Sequence, residues 1–264
     1  MRVHHWAWAG AALGVAVAVV SFAPAAWLAA GVASATGQRL LLADARGTVW
    51  SGSGVAVLTG GPGSRDASAL PGRLSWSLSL QGLGLSVGLR QACCINGELK
   101  LAVQPGWARL RVELPPTQGA VGQWPAAWLA GLGTPWNTLQ PTGSMQLSSP
   151  GLSLESVQGR WRFNGRAELE LQGMASRLST LDVLGSYRLS LAQDPASAGN
   201  AGGATLSLTT LNGALLLSGN GQWAASRWRF LGQASAAPGS ETVLSNLLNI
   251  IGRRQGALSV ISIG

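Results

Sequence analysis

Few side chains in this sequence could do chemistry, and their spacing narrows them further. Glu168 and Glu170 are the only closely spaced acids after the N-terminal segment. At i, i+2 in a strand pattern they share a face, and a carboxylate pair is what glycoside hydrolysis would use without histidine. Arg166 beside them favours a solvated surface pair instead. Cys93 and Cys94 are adjacent and lack the CxxC spacing of redox and zinc sites. Neighbouring side chains in a strand point to opposite faces, which disfavours a bridge. Two small thiols, buried or half-buried, are expected, with intermolecular pairing as the alternative. Both histidines, His4 and His5, lie at the N-terminus and none follows them. That removes Ser-His-Asp and Cys-His catalysis and histidine-ligated zinc from the rest of the chain. The glycines of Gly52-Ser53-Gly54 precede no helix, so they make no nucleotide-binding loop. The sequence therefore assigns no catalytic, cofactor-binding or metal-ligating residue, and predicts a protein that is not an enzyme and needs no cofactor. A carboxylate-based glycosidase is the weakest of the readings it leaves.

Charge points the same way. Eighteen basic residues face ten acidic ones for a formal charge of +8, and charged residues are only 11% of the 264. The basic residues are almost all arginine and are scattered singly, the longest run being Arg253-Arg254. Nucleic-acid binders gather such residues into a patch or stripe, so no nucleic-acid partner is expected. A solvated basic face, or attraction to an anionic membrane surface, fits better.

No charged residue occurs between Arg2 and Arg39, and the stretch from Trp6 to Ala30 is apolar with Trp6, Trp8 and Trp27 near its ends. A run of about 20 apolar residues suffices to cross a bilayer, and tryptophans gather at its interfaces. The reading is a transmembrane signal anchor over residues 1–35, retained rather than cleaved at Ala33-Ser34-Ala35. Its length exceeds the h-region of a secretory signal. Arg2 as the only preceding charge places the N-terminus in the cytoplasm and residues 36–264 outside it.

The remainder must be organised by strands. Leu74, Trp76, Leu78 and Leu80 alternate with serines, and the same period of two recurs over residues 83–89, 98–103 and 108–114. Short strands are expected again at 143–147, 151–154, 159–165, 167–171, 185–191, 204–209, 213–219, 221–223 and 229–232, with a last one at 258–263. Residues 194–203 (DPASAGNAGG) read as a loop. Two short helices interrupt the pattern. One is placed over 121–133, where Trp124, Trp128 and nearby Trp136 gather aromatic area to plug the sheet or, as the alternative, to meet a partner. The other begins after Ser240, with Leu244, Leu247, Leu248 and Ile251 at i, i+3, i+4, i+7 and Arg253-Arg254 at its end. Glycine–tryptophan pairs recur at Gly47/Trp50, Gly72/Trp76, Gly159/Trp161 and Gly221/Trp223, suggesting similar halves at about 36–120 and 140–264. The fold class is mainly β: a single N-terminal transmembrane helix, then a large curved antiparallel sheet with one or two short helices.

Several separated stretches together resemble one family. Pro24–Leu28, Gly47–Gly54, Leu70–Trp76, Gly131–Leu139, Ser179–Leu189, Gly219–Trp223 and Asn246–Arg254 are similar, in order, to type II secretion system protein N. That resemblance implies a non-catalytic accessory component of the general secretion pathway, anchored in the inner membrane with a periplasmic β domain. It implies other components of the apparatus as partners, and it carries no site residues. The alternative is a lipid-handling protein of the AsmA-like or β-groove kind. That reading requires a continuous apolar groove, and a closed core filled by Trp50, Trp76, Trp161 and Trp223 would argue against it.

Overall fold

A computed structural model describes residues 3–117, 119–157, 160–194, 203–224 and 227–263. The chain begins with α1 (Val3–Ser21) and α2 (Ala25–Ala35). Strands β1 (Leu40–Gly47), β2 (Ser51–Thr59), β3 (Ala67–Ala69), β4 (Leu74–Gln81), β5 (Gly84–Arg90), β6 (Leu99–Gly106), β7 (Arg109–Leu114) and β8 (Ala120–Pro125) follow. A 3-10 helix (Ala126–Leu132) and the single turn α3 (Trp136–Leu139) lead into the long strands β9 (Pro141–Val157) and β10 (Arg160–Ser176). Then come β11 (Gly185–Gln193), β12 (Ala204–Gly213), β13 (Leu215–Ala224), β14 (Arg227–Ala236), α4 (Glu241–Ile251), β15 (Arg253–Gln255) and β16 (Leu258–Ile263).

All sixteen strands join one sheet, in the order β1-β2-β4-β5-β6-β7-β9-β10-β11-β12-β13-β14-β16-β15, with β3 beside β2 and β8 beside β9. The expected large antiparallel sheet with few helices is what the chain forms. Alternation decides its faces. Trp76 pairs with Leu89, Leu78 with Val87, Val103 with Val112, Val112 with Leu154, and Leu154 with Phe163. Leu169 pairs with Leu189, and Leu189 with Leu208. Paired residues share a face, so one face is apolar from β4 to β14. The serines, arginines and glutamates of the same strands take the other.

Three expectations change. First, the uncharged N-terminal stretch forms two helices, and the expected single transmembrane helix finds no support. Among the described residues, no helix is long and apolar enough to cross a membrane. Pro24 is extended and separates α1 from α2, because proline cannot continue a helical hydrogen-bond ladder. On both sides of that break the stretch meets the fold: Ala25 is buried, Val49 N–H donates to Ala23 O at 2.8 Å, and Trp50 Nε1 donates to Val20 O at 2.7 Å. Arg2, on which the expected orientation rests, lies outside the described residues.

Second, the pieces expected at 143–147 and 151–154 are one strand, β9, and those at 159–165 and 167–171 are one strand, β10. Glycine bends them instead of ending them. Gly165 has φ +105°, and a Cβ there would meet Gly151 O at 2.2 Å. The Ser149 hydroxyl bridges the bulge, donating to Arg166 O at 2.7 Å and accepting from Gly151 N–H at 3.2 Å. Each of these strands runs 17 residues. Third, the helix placed over 121–133 is strand β8 up to Pro125, and helical only after it.

The last helix forms as its spacing predicts, and Leu244, Leu247 and Leu248 are at most 1% exposed. Full burial of each side chain is worth about 1.5–3 kcal/mol. Gly252 follows the helix, but Arg253 and Arg254 form β15 and so do not sit in its last turn. This three-residue edge is short, exposed and basic, which protects a sheet edge from pairing. The segment expected as a loop lies mostly at 195–202, outside the described residues.

Candidate functional site: an apolar trough closed at one end

Among the described residues, the apolar face is filled from one end only. There, Met145, Met174 and Tyr187 pack with Ala126 of the 3-10 helix, and Trp124 and Leu129 lie against them. Beside them, Leu184, Leu215 and Ala234 pack under α4. Trp124 and Trp128 also cover Ala56, Leu70 and Cys94. These two tryptophans plug the sheet as expected, while Trp136 is 36% exposed. The phenolic O–H of Tyr187 donates to Leu215 O at 3.1 Å, and burial pushes its pKa far up.

Farther along the same strands the filling stops. A cavity of about 540 Å³ is lined by Leu154, Phe163, Leu191, Ala204, Leu206, Trp223 and Trp228. The two indoles tilt at 53° with centroids 5.9 Å apart. Its floor is the next rung of the same face, Leu189 and Leu208, above Tyr187. Leu154 and Trp223 are 37% and 39% exposed, so among the described residues the cavity reaches solvent. The apolar residues of β4 to β6, such as Val87, Leu101 and Val103, continue this face half-buried and belong to none of the three packed clusters.

The tryptophans singled out in the sequence do not meet in one closed core. Trp76 is buried against Gly52, its Nε1 donating to Thr48 O at 3.1 Å. Trp50 reaches α1, and Trp223 lines the cavity. The side chain of Trp161 lies outside the described residues. No sequence signal marked the cavity itself, because its residues come from six strands and are chemically ordinary. Leu191 and Leu206, directly paired between β11 and β12, were visible only as two more members of an alternation.

The polar candidates lie on the other face. Glu168 and Glu170 do share a face, and their partner is Arg188 of β11 rather than Arg166. Arg188 Nη2 is 2.7 Å from Glu170 Oε1, and its Nε is 4.0 Å from Glu168 Oε2. The guanidinium holds the Glu170 carboxyl below its ordinary range, aided by Gln172, and Glu170 raises Arg188 in turn. One arginine thus holds both carboxylates on this face of the sheet. Farther along, Arg73 Nη1 and Arg46 Nη2 bind Asp44 at 2.7 and 2.8 Å and lower its pKa, Arg73 most.

Cys93 and Cys94 overturn the expectation of free thiols: they are disulfide-bonded to each other. The segment is a turn, not a strand, so its side chains do not diverge by alternation. His4 and His5 lie in α1. Among the described residues, no three His, Cys, Asp or Glu side chains gather as metal ligands would.

No curated protein and no solved structure matches the chain. The family model for type II secretion system protein N matches residues 38–260. That match begins just ahead of β1 and ends inside β16, so it takes in the whole trough with both its closed and its open end, and the chain belongs to the type II secretion system protein N family.

Proposed function

We propose that this protein is a non-catalytic accessory component of the type II secretion apparatus. In this reading it is held at the inner membrane by its apolar N-terminal segment, with the sheet on the periplasmic side. Family membership over residues 38–260 is the observation that carries it. The surface of α1 and of Phe22 just after it supports the membrane part: Leu13, Val15, Val17 and Phe22 are 57–78% exposed, and apolar area of that extent is costly in water. The chemistry supports the absence of catalysis, since no histidine follows His5 and the one close acid pair is held by Arg188.

The protein would act by contact with other components of the apparatus in the inner membrane, supporting passage of folded periplasmic proteins across the outer membrane. Deletion of the gene tests this directly. Exported proteins should accumulate in the periplasm, and crosslinking in detergent extracts should recover other apparatus components with this chain. Unimpaired secretion together with no such partner would sink the proposal.

A further inference from the structure

The open end of the trough has three features that belong together. The cavity wall is the first. Leu154, Phe163, Leu191, Leu206 and the two indoles offer apolar surface over about 540 Å³, inside the range of roughly 300–1,000 Å³ typical of small-molecule sites. A sugar or nucleotide would leave its polar groups without partners there, as would a peptide backbone, at a cost no apolar contact repays. A hydrocarbon chain has no such groups.

Charge around the mouth is the second. Arg109 and Arg111 of β7, Arg162 of β10 and Arg229 of β14 lie near the strand ends that border it, on the face opposite the apolar one, so they flank the rim from outside. Arg109 is paired with Glu155 and Arg111 with Glu113. Arg162 and Arg229 are exposed, and neither forms an ion pair among the described residues. The third feature is apolar exposure beyond the cavity. Register places the β6–β7 turn beside the end of β9, because Gly106 pairs with Arg109 and Arg109 with Val157. It places the β4–β5 turn at the same end, because Leu80 pairs with Leu85 and Leu85 with Val103. On these two tips Trp107 and Leu83 are fully exposed and Leu80 is 78% exposed. Indole and leucine side chains raised this way suit a bilayer interface.

We infer that the open end of the sheet sits on a bilayer and takes one acyl chain of an anionic phospholipid into the cavity, with the arginines that flank the rim on the outer face meeting the anionic headgroup layer. The inference does not depend on the secretion role, since a lipid could seat the sheet on the membrane whatever partners the protein has there. It explains why the closed end is packed by protein while the open end, built on the same face, is left unfilled by the described residues.

Photolabelling of the full chain tests it. The protein is reconstituted in phosphatidylethanolamine vesicles containing phosphatidylglycerol with a diazirine at the end of one acyl chain, irradiated, and digested for mass spectrometry. Adducts are expected on peptides carrying Phe163, Leu191, Leu206 and Trp223. Ala204→Trp, which fills the cavity, should lower that labelling about tenfold, as a lost 1.4 kcal/mol would, while labelling of α1 stays constant. A phosphatidylcholine probe with the same chain should label the cavity less, and R162A/R229A should abolish the difference. The wild-type map decides the matter even if Ala204→Trp does not fold. Adducts confined to α1, Leu83 or Trp107 overturn the inference, as does cavity labelling indifferent to Ala204→Trp in a folded variant. Equal labelling by both probes overturns the anionic preference. An unlabelled cavity from which an apolar peptide is recovered assigns the site to a protein partner and overturns it too.

Discussion

The two ends of the trough are built from the same face of the same strands, yet among the described residues one is a protein core and the other an apolar wall open to solvent. At the closed end Leu244, Leu247 and Leu248 are at most 1% exposed; at the open end Leu154 and Trp223 are 37% and 39% exposed. Strand alternation explains why both walls are apolar, since it sets which side chains share a face. It does not explain which wall is covered. Cover comes from two segments that leave the sheet, the stretch from Trp124 to Leu139 and helix α4, and both pack at one end.

The largest expected effect separates the ends by stability. Leu247→Ala removes a side chain enclosed by Leu184, Leu215 and Ala234, and such a deletion in a packed core costs about 2–5 kcal/mol. Leu191→Ala, at the open end, removes atoms from a half-covered wall that water already reaches, and should cost less than about 1 kcal/mol on the same bookkeeping. Urea denaturation followed by tryptophan fluorescence reads both. Equal losses would mean that the open end is as well packed as the closed one, and the contrast would fail.

Gly219→Ala probes the boundary between them. A Cβ there would lie 2.5 Å from Phe230 Cζ and 2.9 Å from both Gly232 Cα and Leu231 O. The ring cannot yield without disturbing its neighbours, so overpacking of about 1–3 kcal/mol is expected. At Gly106, in the β6–β7 hairpin, the nearest atom to an added Cβ is Arg109 Cβ at 3.4 Å, and Gly106→Ala should leave the urea midpoint unchanged. A neutral Gly219→Ala would show that Phe230 has room to move, and so that the filled region ends sooner along β13.

A smaller effect tests how the closed end satisfies its polar atoms. Tyr187→Phe keeps the ring but removes the donor to Leu215 O, at a cost of about 0.5–1.5 kcal/mol. The same variant should not alter lipid labelling of the open end, because Tyr187 lies below the cavity floor. Loss of labelling in Tyr187→Phe would mean that the two ends do not behave independently.

Much of this architecture was legible from residue patterns, for reasons that also explain the gaps. The strict alternation of Leu74 to Leu80 fixes a face, and the spacing of Leu244, Leu247, Leu248 and Ile251 fixes a helix, because both follow from local geometry. The breaks assigned near Gly151 and Gly165 were bends, since a glycine between alternating residues marks an interruption without saying whether pairing resumes beyond it. Val121–Pro125 read as part of a helix because Pro125 and the alanines after it outweigh the few residues of strand pattern before it. The N-terminal apolar stretch showed its hydropathy but not the contacts of Ala23, Ala25 and Val20, which depend on where β1 and β2 lie. The cavity was legible least, because it arises from how far the covering segments reach.

The smallest effect belongs to the outer face and should leave both ends alike. Arg188 lowers the Glu170 carboxyl below its ordinary value of 4.5, so the ionised form is favoured in the folded chain. A group with a depressed folded pKa stabilises above its unfolded pKa and loses that contribution as pH falls through the folded value. Wild type should therefore exceed Glu170→Gln in stability at neutral pH, by no more than about 1 kcal/mol for a pair so accessible to water. The difference should shrink as the pH drops below the ordinary carboxylate range, until the two urea midpoints coincide. Salt should reduce it at neutral pH, since exposed charges are screened within about 10 Å at 0.1 M. Lipid labelling should be the same in both proteins throughout. A gap that widens on acidification would mean that Glu170 is held in its protonated form, and the Arg188 pair would not be the contact that orders this part of the outer face.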